Sequence, residues 1–365
     1  MPIDGTRASV TSSDMSPRRV VVTGIGAVTA AGWGVAAFQN ALNSGQTSIS
    51  PLTRIPCENQ RTHIGGEVPN PGVRHRWLAR YGRSSYSDRF ALVTTLEAID
   101  HAKLPREMND VSTGIFFGTS TSGLFETERF YEIFTEGKES NPKRSLLASH
   151  VLSAPAEAVG RQFRISGPVE TISSACASAG LAIQQGFLSI ADSEIDVAVT
   201  GGVDSLTLTT YSGFNALRLV DESPCRPLQA DRNGMSLGEG GATLILEALD
   251  HATARGAIPI AEIVGTGASC DALHMTAPDS QGCGAAAAIS EAISNAGLSP
   301  SDVDLINLHA TGTRRNDSAE SKALASVFGN CLSDISMEAT KGTVGHLLGA
   351  AGAIEAVSTV ICLQT

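Results

Sequence analysis

Three residues in this chain have neighbours and spacing that suit them to chemistry: Cys176, His309 and His346. Cys176 lies in ETISSACASAGLAIQQG, where a β-branched run passes through a turn of Ser, Ala and Gly into a helical pattern. Small neighbours let the backbone turn sharply and leave room for a substrate. A thiol at a helix N-terminus feels the positive end of the helix dipole, which favours thiolate relative to the free value of roughly 8.5. Such a thiolate is the nucleophilic form of cysteine. His309 lies in NLHATGTRRND, where a strand pattern meets a glycine turn, and His346 lies in KGTVGHLLGAAGA, just before an apolar helix. Cys57, Cys225, Cys270, Cys283, Cys331 and Cys362 read as inert thiols, and the other six histidines as structural. No two cysteines form a C-x-x-C pair, so neither a disulfide framework nor a metal site is expected. Reduced thiols point to a cytoplasmic protein.

Alternating strand and helix patterns must position these residues, which makes the chain α/β. Residues 1–17 read as a polar, disordered tail. RRVVVTGIGAVTA reads as a strand leading into a helix through VAAFQNALNSG. A helix follows at SDRFALVTTLEAIDHA, then a strand at STGIFFGTS; residues 122–150 show no clear periodicity. Further on come the Cys176 helix and two strands, DVAVTGGVD and GATLILEAL. A similar pass begins near residue 258, where IPIAEIVGTGASCD echoes the opening strand and GHLLGAAGAIEAVSTVICL parallels the Cys176 helix. The chain therefore reads as a duplication, with halves at 18–257 and 258–365, bringing a thiol from one half to face two imidazoles from the other. The second half has no counterpart of the two strands after the Cys176 helix, so a further piece on the order of 40 residues is expected.

SSACASAG, HATGT, K-x-x-x-G-H-x-x-G-A-A-G and CRPLQADRNGMSLGEGGATLILE, in that family's order and spacing, resemble the elongating β-ketoacyl-acyl carrier protein synthases of the thiolase fold. The resemblance implies two α-β-α units in a layered α-β-α-β-α sandwich, with the C-terminal unit incomplete. It also implies a decarboxylative Claisen condensation. Cys176 would accept the acyl chain, while His309 and His346 act on malonyl-acyl carrier protein to promote loss of CO₂ and stabilise the enolate. Lys341 would support the histidines, and Glu355 and Asp317 would act structurally and electrostatically. Thr311 and Thr313 would hold the phosphopantetheine arm, and Thr121 would line the acyl pocket. Arg80, Arg83 and Arg218 are candidates for docking the acidic carrier protein. No bound cofactor is implied, and a homodimer, or a heterodimer with a ketosynthase-like partner, is. Two departures stand out. HATGT replaces the commoner His-Gly-Thr-Gly-Thr, a small steric change expected to matter little. The family's C-terminal glycine-rich loop has no counterpart, so this chain is expected to be inactive or poorly active without it. A degradative thiolase or a starter-unit synthase fits the two histidines less well. A non-catalytic chain-length-factor partner would ordinarily lack Cys176.

The bulk properties exclude other classes. A formal charge of −11 and a pI near 5.2 provide no basic field for nucleic acid. No signal peptide is visible, nor any apolar run long enough to span a membrane. Gly24 and Gly26 form a G-x-G, but Thr29 takes the third glycine position of a dinucleotide fingerprint, so strand–helix packing explains them better.

Overall fold

The structure is a computed structural model that describes residues 17–70, 84–136 and 143–364. Its first half contains β1 (Val20–Thr29), β2 (Gly32–Trp33), α1 (Val35–Ser44), β3 (Ser50–Pro51), β4 (Ile64–Gly65), α2 (Tyr86–Ala102), β5 (Thr113–Gly118) and α3 (Leu124–Glu136). There follow α4 (Ala154–Phe163), β6 (Val169–Ile172), α5 (Ser178–Ala191), β7 (Val197–Asp204), α6 (Leu208–Ala216), β8 (Gly240–Ala248) and α7 (Leu249–Ala254). The second half contains β9 (Ala261–Ile263), α8 (Cys283–Asn295), β10 (Leu305–Asn307), α9 (Arg314–Phe328), β11 (Ser336–Glu338), α10 (Lys341–Val344) and α11 (Ala351–Leu363).

The large sheet runs β2-β1-β8-β7-β5-β6, with β5 parallel to both β6 and β7, and β8 antiparallel to β1 and β7. Every residue of β1, β7 and β8 is buried, as near-continuous apolar strands are when helices cover both faces. Phe90, Ile99 and Val159 of α2 and α4 pack with Phe117 and Val199 on one side of it. Ala182, Ile190, Ile354 and Val357 of α5 and α11 pack with Phe116 and Leu244 on the other. Fully burying a phenylalanine such as Phe116 contributes about 1.5–3 kcal/mol. Beyond α11 lies the small parallel sheet β10-β11, whose Ile306 and Leu308 pack with Ile293 of α8 and Leu324 and Phe328 of α9. The layers are thus α-β-α-β-α, as the resemblance implies. Ser85 starts α2 with a capping box: its hydroxyl accepts from Asp88 N at 3.0 Å, and the Asp88 carboxylate accepts from Ser85 N at 3.0 Å.

Two glycine features decide the packing. A Cβ on Gly24 or Gly26 would meet the backbone oxygens of Ala98 or Thr94 at 2.1 and 2.0 Å, so these residues seat α2 on β1. A Cβ on Gly352 would meet Gly180 N at 2.8 Å; the central helices α5 and α11 therefore touch backbone to backbone. That contact brings the start of one helix beside the start of the other.

Two readings need amendment. Residues 122–150, which lack clear periodicity, hold α3 and a 3-10 turn at Arg144–Leu147. IPIAEIVGTG does not open a sheet of its own: β9 has three residues and pairs with the far edge of β1. Among the described residues the second sheet has two strands, β10 and β11. No helix among them is long and apolar enough to cross a membrane.

Candidate active site

Cys176 lies two residues before α5, in a tight turn after β6. Ala175, just ahead of it, has φ +47°, a left-handed conformation unfavourable for a residue with a Cβ. Similar strain marks the other two turns: Ala310 follows His309 at φ +35°, and Leu348 lies two residues after His346 at φ +53°. Backbone of this kind persists only where surrounding contacts over-determine it. It also revises the expectation for HATGT. Ala310 is fully buried where glycine would be unstrained, so replacing glycine there has a conformational cost.

The contacts that impose the strain are visible. Glu320, on α9, accepts hydrogen bonds from His309 N at 2.6 Å and Ala310 N at 2.8 Å. Asp317, 1% exposed, accepts from Gly312 N at 3.1 Å and Leu228 N at 2.8 Å, and pairs with Arg232. The helix after the turn thus reaches back to hold it. His346 is fixed through its backbone: its N–H donates to Ser236 O at 2.8 Å, and its carbonyl accepts from Gly238 N at 2.9 Å.

Asp204, at the end of β7, ties the two halves of the site together. It is completely buried. Its carboxylate accepts from Thr119 Oγ1 at 2.6 Å, Ser120 N at 2.9 Å, Thr121 N at 2.8 Å and Gly349 N at 2.7 Å. Ser120 Oγ in turn donates to Ala175 O at 3.3 Å. One carboxylate therefore links the turn beside Cys176 to the turn that carries His346.

The side chains converge. Cys176 Sγ lies 2.9 Å from His346 Nε2, and the His309 and His346 rings meet edge to face with centroids 5.3 Å apart. Lys341, 1% exposed, places Nζ 3.3 Å from His309 Nδ1 and forms an ion pair with Glu355. An ammonium only donates, so His309 Nδ1 accepts and the proton of the neutral ring is on Nε2. His346 Nδ1 is buried without a hydrogen-bond partner, so only the Cys176 contact at Nε2 bears on that ring's tautomer. Burial, reinforced by the Lys341 charge, pushes His309 down to about 3 and holds His346 well below its ordinary value; both rings are neutral near pH 7. Burial pushes the Cys176 thiol up, partly offset by Lys341. Here the structure corrects the expectation of a thiolate favoured by the helix dipole: desolvation dominates, and the resting group is a thiol beside a neutral imidazole.

Cys176, His309 and His346 line a cavity of about 700 Å³. Thr311 and Thr313 line it with their hydroxyls 2.9 Å apart, Phe214 and Met235 supply apolar wall, and Arg218, Arg314 and Arg315 line it too. No Asp or Glu among the described residues lines it. Thr121 is not among the lining residues; its hydroxyl donates to Asp204 and Ser205 O, both at 3.0 Å. Arg80 and Arg83 lie outside the described residues. Sequence reading missed Asp204, Glu320, Arg314 and Arg315. The doublet after TGT was a visible signal, whereas the two carboxylates carry no local pattern.

The chain matches the family description "Beta-ketoacyl synthase, N-terminal domain" over residues 17–252 and "Beta-ketoacyl synthase, C-terminal domain" over residues 260–365. It is 34% identical to 3-oxoacyl-[acyl-carrier-protein] synthase 2 of Synechocystis sp., covering 96% of this chain and 86% of that protein. It is 33% identical to Nodulation protein E of Rhizobium meliloti, covering 95% and 86%. Among solved structures, the ishigamide ketosynthase/chain length factor superposes with a TM-score of 0.88 at 30% identity, over 95% of this chain and 86% of that one. A type II polyketide synthase ketosynthase, solved with its acyl-carrier protein and bound to a hexaketide, gives 0.85 at 29% identity, over 94% and 86%. This chain belongs to the β-ketoacyl synthase family.

Proposed function

We propose that the protein is a 3-oxoacyl-acyl carrier protein synthase, condensing an acyl group held on Cys176 with malonyl-acyl carrier protein in fatty acid or polyketide-type synthesis. The observation that carries this reading is the 2.9 Å contact between Cys176 Sγ and His346 Nε2, with the Lys341-oriented His309 alongside, all three lining one cavity.

In the first half-reaction the Cys176 sulfur attacks the acyl thioester while His346 Nε2 takes the thiol proton. The departing pantetheine sulfur collects that proton, leaving acyl-Cys176 and a neutral His346. In the second, the malonyl thioester loses CO₂ and negative charge collects on its thioester oxygen. His309 presents Nε2–H because Lys341 occupies Nδ1, and His346, with its tautomer unpinned, presents Nε2–H once the thiol is acylated. Two donors on one oxygen stabilise the enolate, whose carbon attacks the acyl-Cys176 carbonyl and releases the thiolate for reprotonation. No bound cofactor is needed, since the substrates arrive on phosphopantetheine.

Thr311 and Thr313 suit the amides of the pantetheine arm, and three arginines without a lining carboxylate suit an acidic carrier protein. Among the described residues no strand pairs with the outer edge of β6, and Val169 is 40% exposed there, which supports dimerisation through that edge, with a second copy or a ketosynthase-like partner. Thiols such as Cys57, Cys176 and Cys225, which form no disulfide among the described residues, suit a reducing cytoplasm. Incubation with acyl- and malonyl-acyl carrier proteins, read by intact mass, tests the proposal. The expected result is an acyl adduct on Cys176 that malonyl-acyl carrier protein discharges as a 3-oxoacyl product. A folded protein carrying the family's C-terminal glycine-rich loop that still forms neither adduct nor product rules the reading out.

A further inference from the structure

Cys176, His309 and His346 each present one ligand atom, and all three lie within 4.8 Å of one another. A thiol and two imidazoles are a favoured donor set for Zn²⁺ and its neighbours, with a fourth position open to a solvent-accessible cavity. Tetrahedral Zn²⁺ needs sulfur–nitrogen separations of roughly 3.5 Å, so Sγ and His346 Nε2, now 2.9 Å apart, need part only slightly. No sequence spacing announces the set, because its ligands come from two halves of the chain. A cluster like this, in a cell containing zinc, is at risk of being titrated by metal.

We infer that Lys341 excludes transition metals from this cluster, and that removing its ammonium converts the site into a one-metal centre. Two features support this. First, the ammonium donates to His309 Nδ1 at 3.3 Å, which puts the ring proton on Nε2, the nitrogen a metal must have unprotonated. For His309 to ligate, that proton must move to Nδ1, where it would face a donor. In metal sites the rear nitrogen of a ligating histidine instead donates to a carboxylate, carbonyl or water. Second, Lys341 is a fixed positive charge directly behind a ligand, with Glu355 as its paired carboxylate. Without the ammonium, His309 can carry its proton on Nδ1, and no fixed positive charge stands behind the ligand to oppose a cation. Binding then forms one S–metal and two N–metal bonds, releases the Cys176 thiol proton to solvent and changes no oxidation state. This inference stands on the geometry of the cluster alone and does not need the condensing activity.

The test is titration of the purified protein with Co²⁺, read as the near-ultraviolet thiolate-to-cobalt absorption, with Zn²⁺ as competitor. Wild type should show no such band at one equivalent. Lys341→Met should bind one equivalent, roughly 10–100-fold tighter than wild type, and lose the band when Cys176→Ala is added. Lys341→Met/Glu355→Gln removes the uncompensated carboxylate in case the single variant does not fold, and should also bind. Lys341→Arg, which keeps the cation, should exclude metal as wild type does. Background binding at the exposed Cys270, Cys283 and Cys362 survives Cys176→Ala and is subtracted on that basis. Equal titration of wild type and the Lys341 variants overturns the inference, as does a folded Lys341→Met/Glu355→Gln protein that binds nothing at Cys176.

Discussion

Asp204→Asn should separate two effects that a purely structural residue would move together. The carboxylate accepts from Gly349 N at 2.7 Å through one oxygen and from Thr119 Oγ1 at 2.6 Å and Thr121 N at 2.8 Å through the other, with Ser120 N at 2.9 Å from both. An amide keeps one acceptor, facing Thr119 Oγ1 and Thr121 N, and turns its NH₂ toward Gly349 N and Ser120 N. A buried N–H at Gly349 or Ser120 is then unpaired, at a cost of about 1–3 kcal/mol. Removing the charge returns part of that, because burial already pushes the Asp204 carboxyl up. The net expectation is a loss of about 1–2 kcal/mol in urea unfolding. Gly349 lies three residues from His346, so its turn should relax. A displacement near 1 Å between a base and its nucleophile can slow a reaction about 10²-fold. Asp204 is also among the charges that raise the Cys176 thiol, so its neutralisation should move the pH profile of Cys176 alkylation downward. The combined outcome is a thiol that iodoacetamide modifies at lower pH, in an enzyme that condenses more slowly. Condensation and alkylation profiles both indistinguishable from wild type, in a folded variant, would refute this account of Asp204.

Other perturbations probe the rest of the site. Lys341→Met leaves Glu355 without its partner and should cost about 3–5 kcal/mol in unfolding free energy. Lys341→Met/Glu355→Gln should recover most of that, yet decarboxylate malonyl-acyl carrier protein about 10²–10³-fold more slowly because His309 no longer holds Nε2–H. Cys176 acylation in the double variant, measured by mass, should change far less. His346 is held neutral in the fold, so below pH ~6.5 the unfolded chain takes up a proton that the native state refuses. Stability therefore falls with acidification, approaching ~1.4 kcal/mol per pH unit from this group, and His346→Gln should lack that slope in paired urea titrations. Burial pushes Glu126, which accepts from Tyr86 N at 2.8 Å, up to about 7. Its contribution is present in full below pH ~4.5 and is lost as pH rises through about 7. Glu126→Gln should accordingly gain on wild type at pH 8 relative to pH 5, by about 2–3 kcal/mol. Equal stability differences at both values would remove the burial explanation.

Much of the architecture was legible because its signals are local. Apolar runs such as VAVTGGVD and GATLILEA announce strands covered on both faces, and the Ser-Ala-Gly turn before LAIQQGFLSI announces a helix start. The parallel between the segments around Cys176 and His346 foretold paired helices, and the glycines that let α5 and α11 touch were visible within them. Their settings at small-residue and glycine turns singled out the thiol and the two imidazoles. Their states came from the fold. Whether Cys176 rests as thiol or thiolate depends on how much water its pocket excludes, and desolvation outweighed the helix dipole that local sequence suggests. Which nitrogen of His309 carries the proton is decided by Lys341, 32 positions away. Asp204 gave no hint of its role, because a carboxylate becomes a clamp only when two turns distant in sequence fold over it. Patterns of hydrophobicity and turn chemistry act over a few residues and can be read along the chain. Electrostatics and hydrogen-bond partners act across a few ångströms of space, which only the tertiary structure brings together.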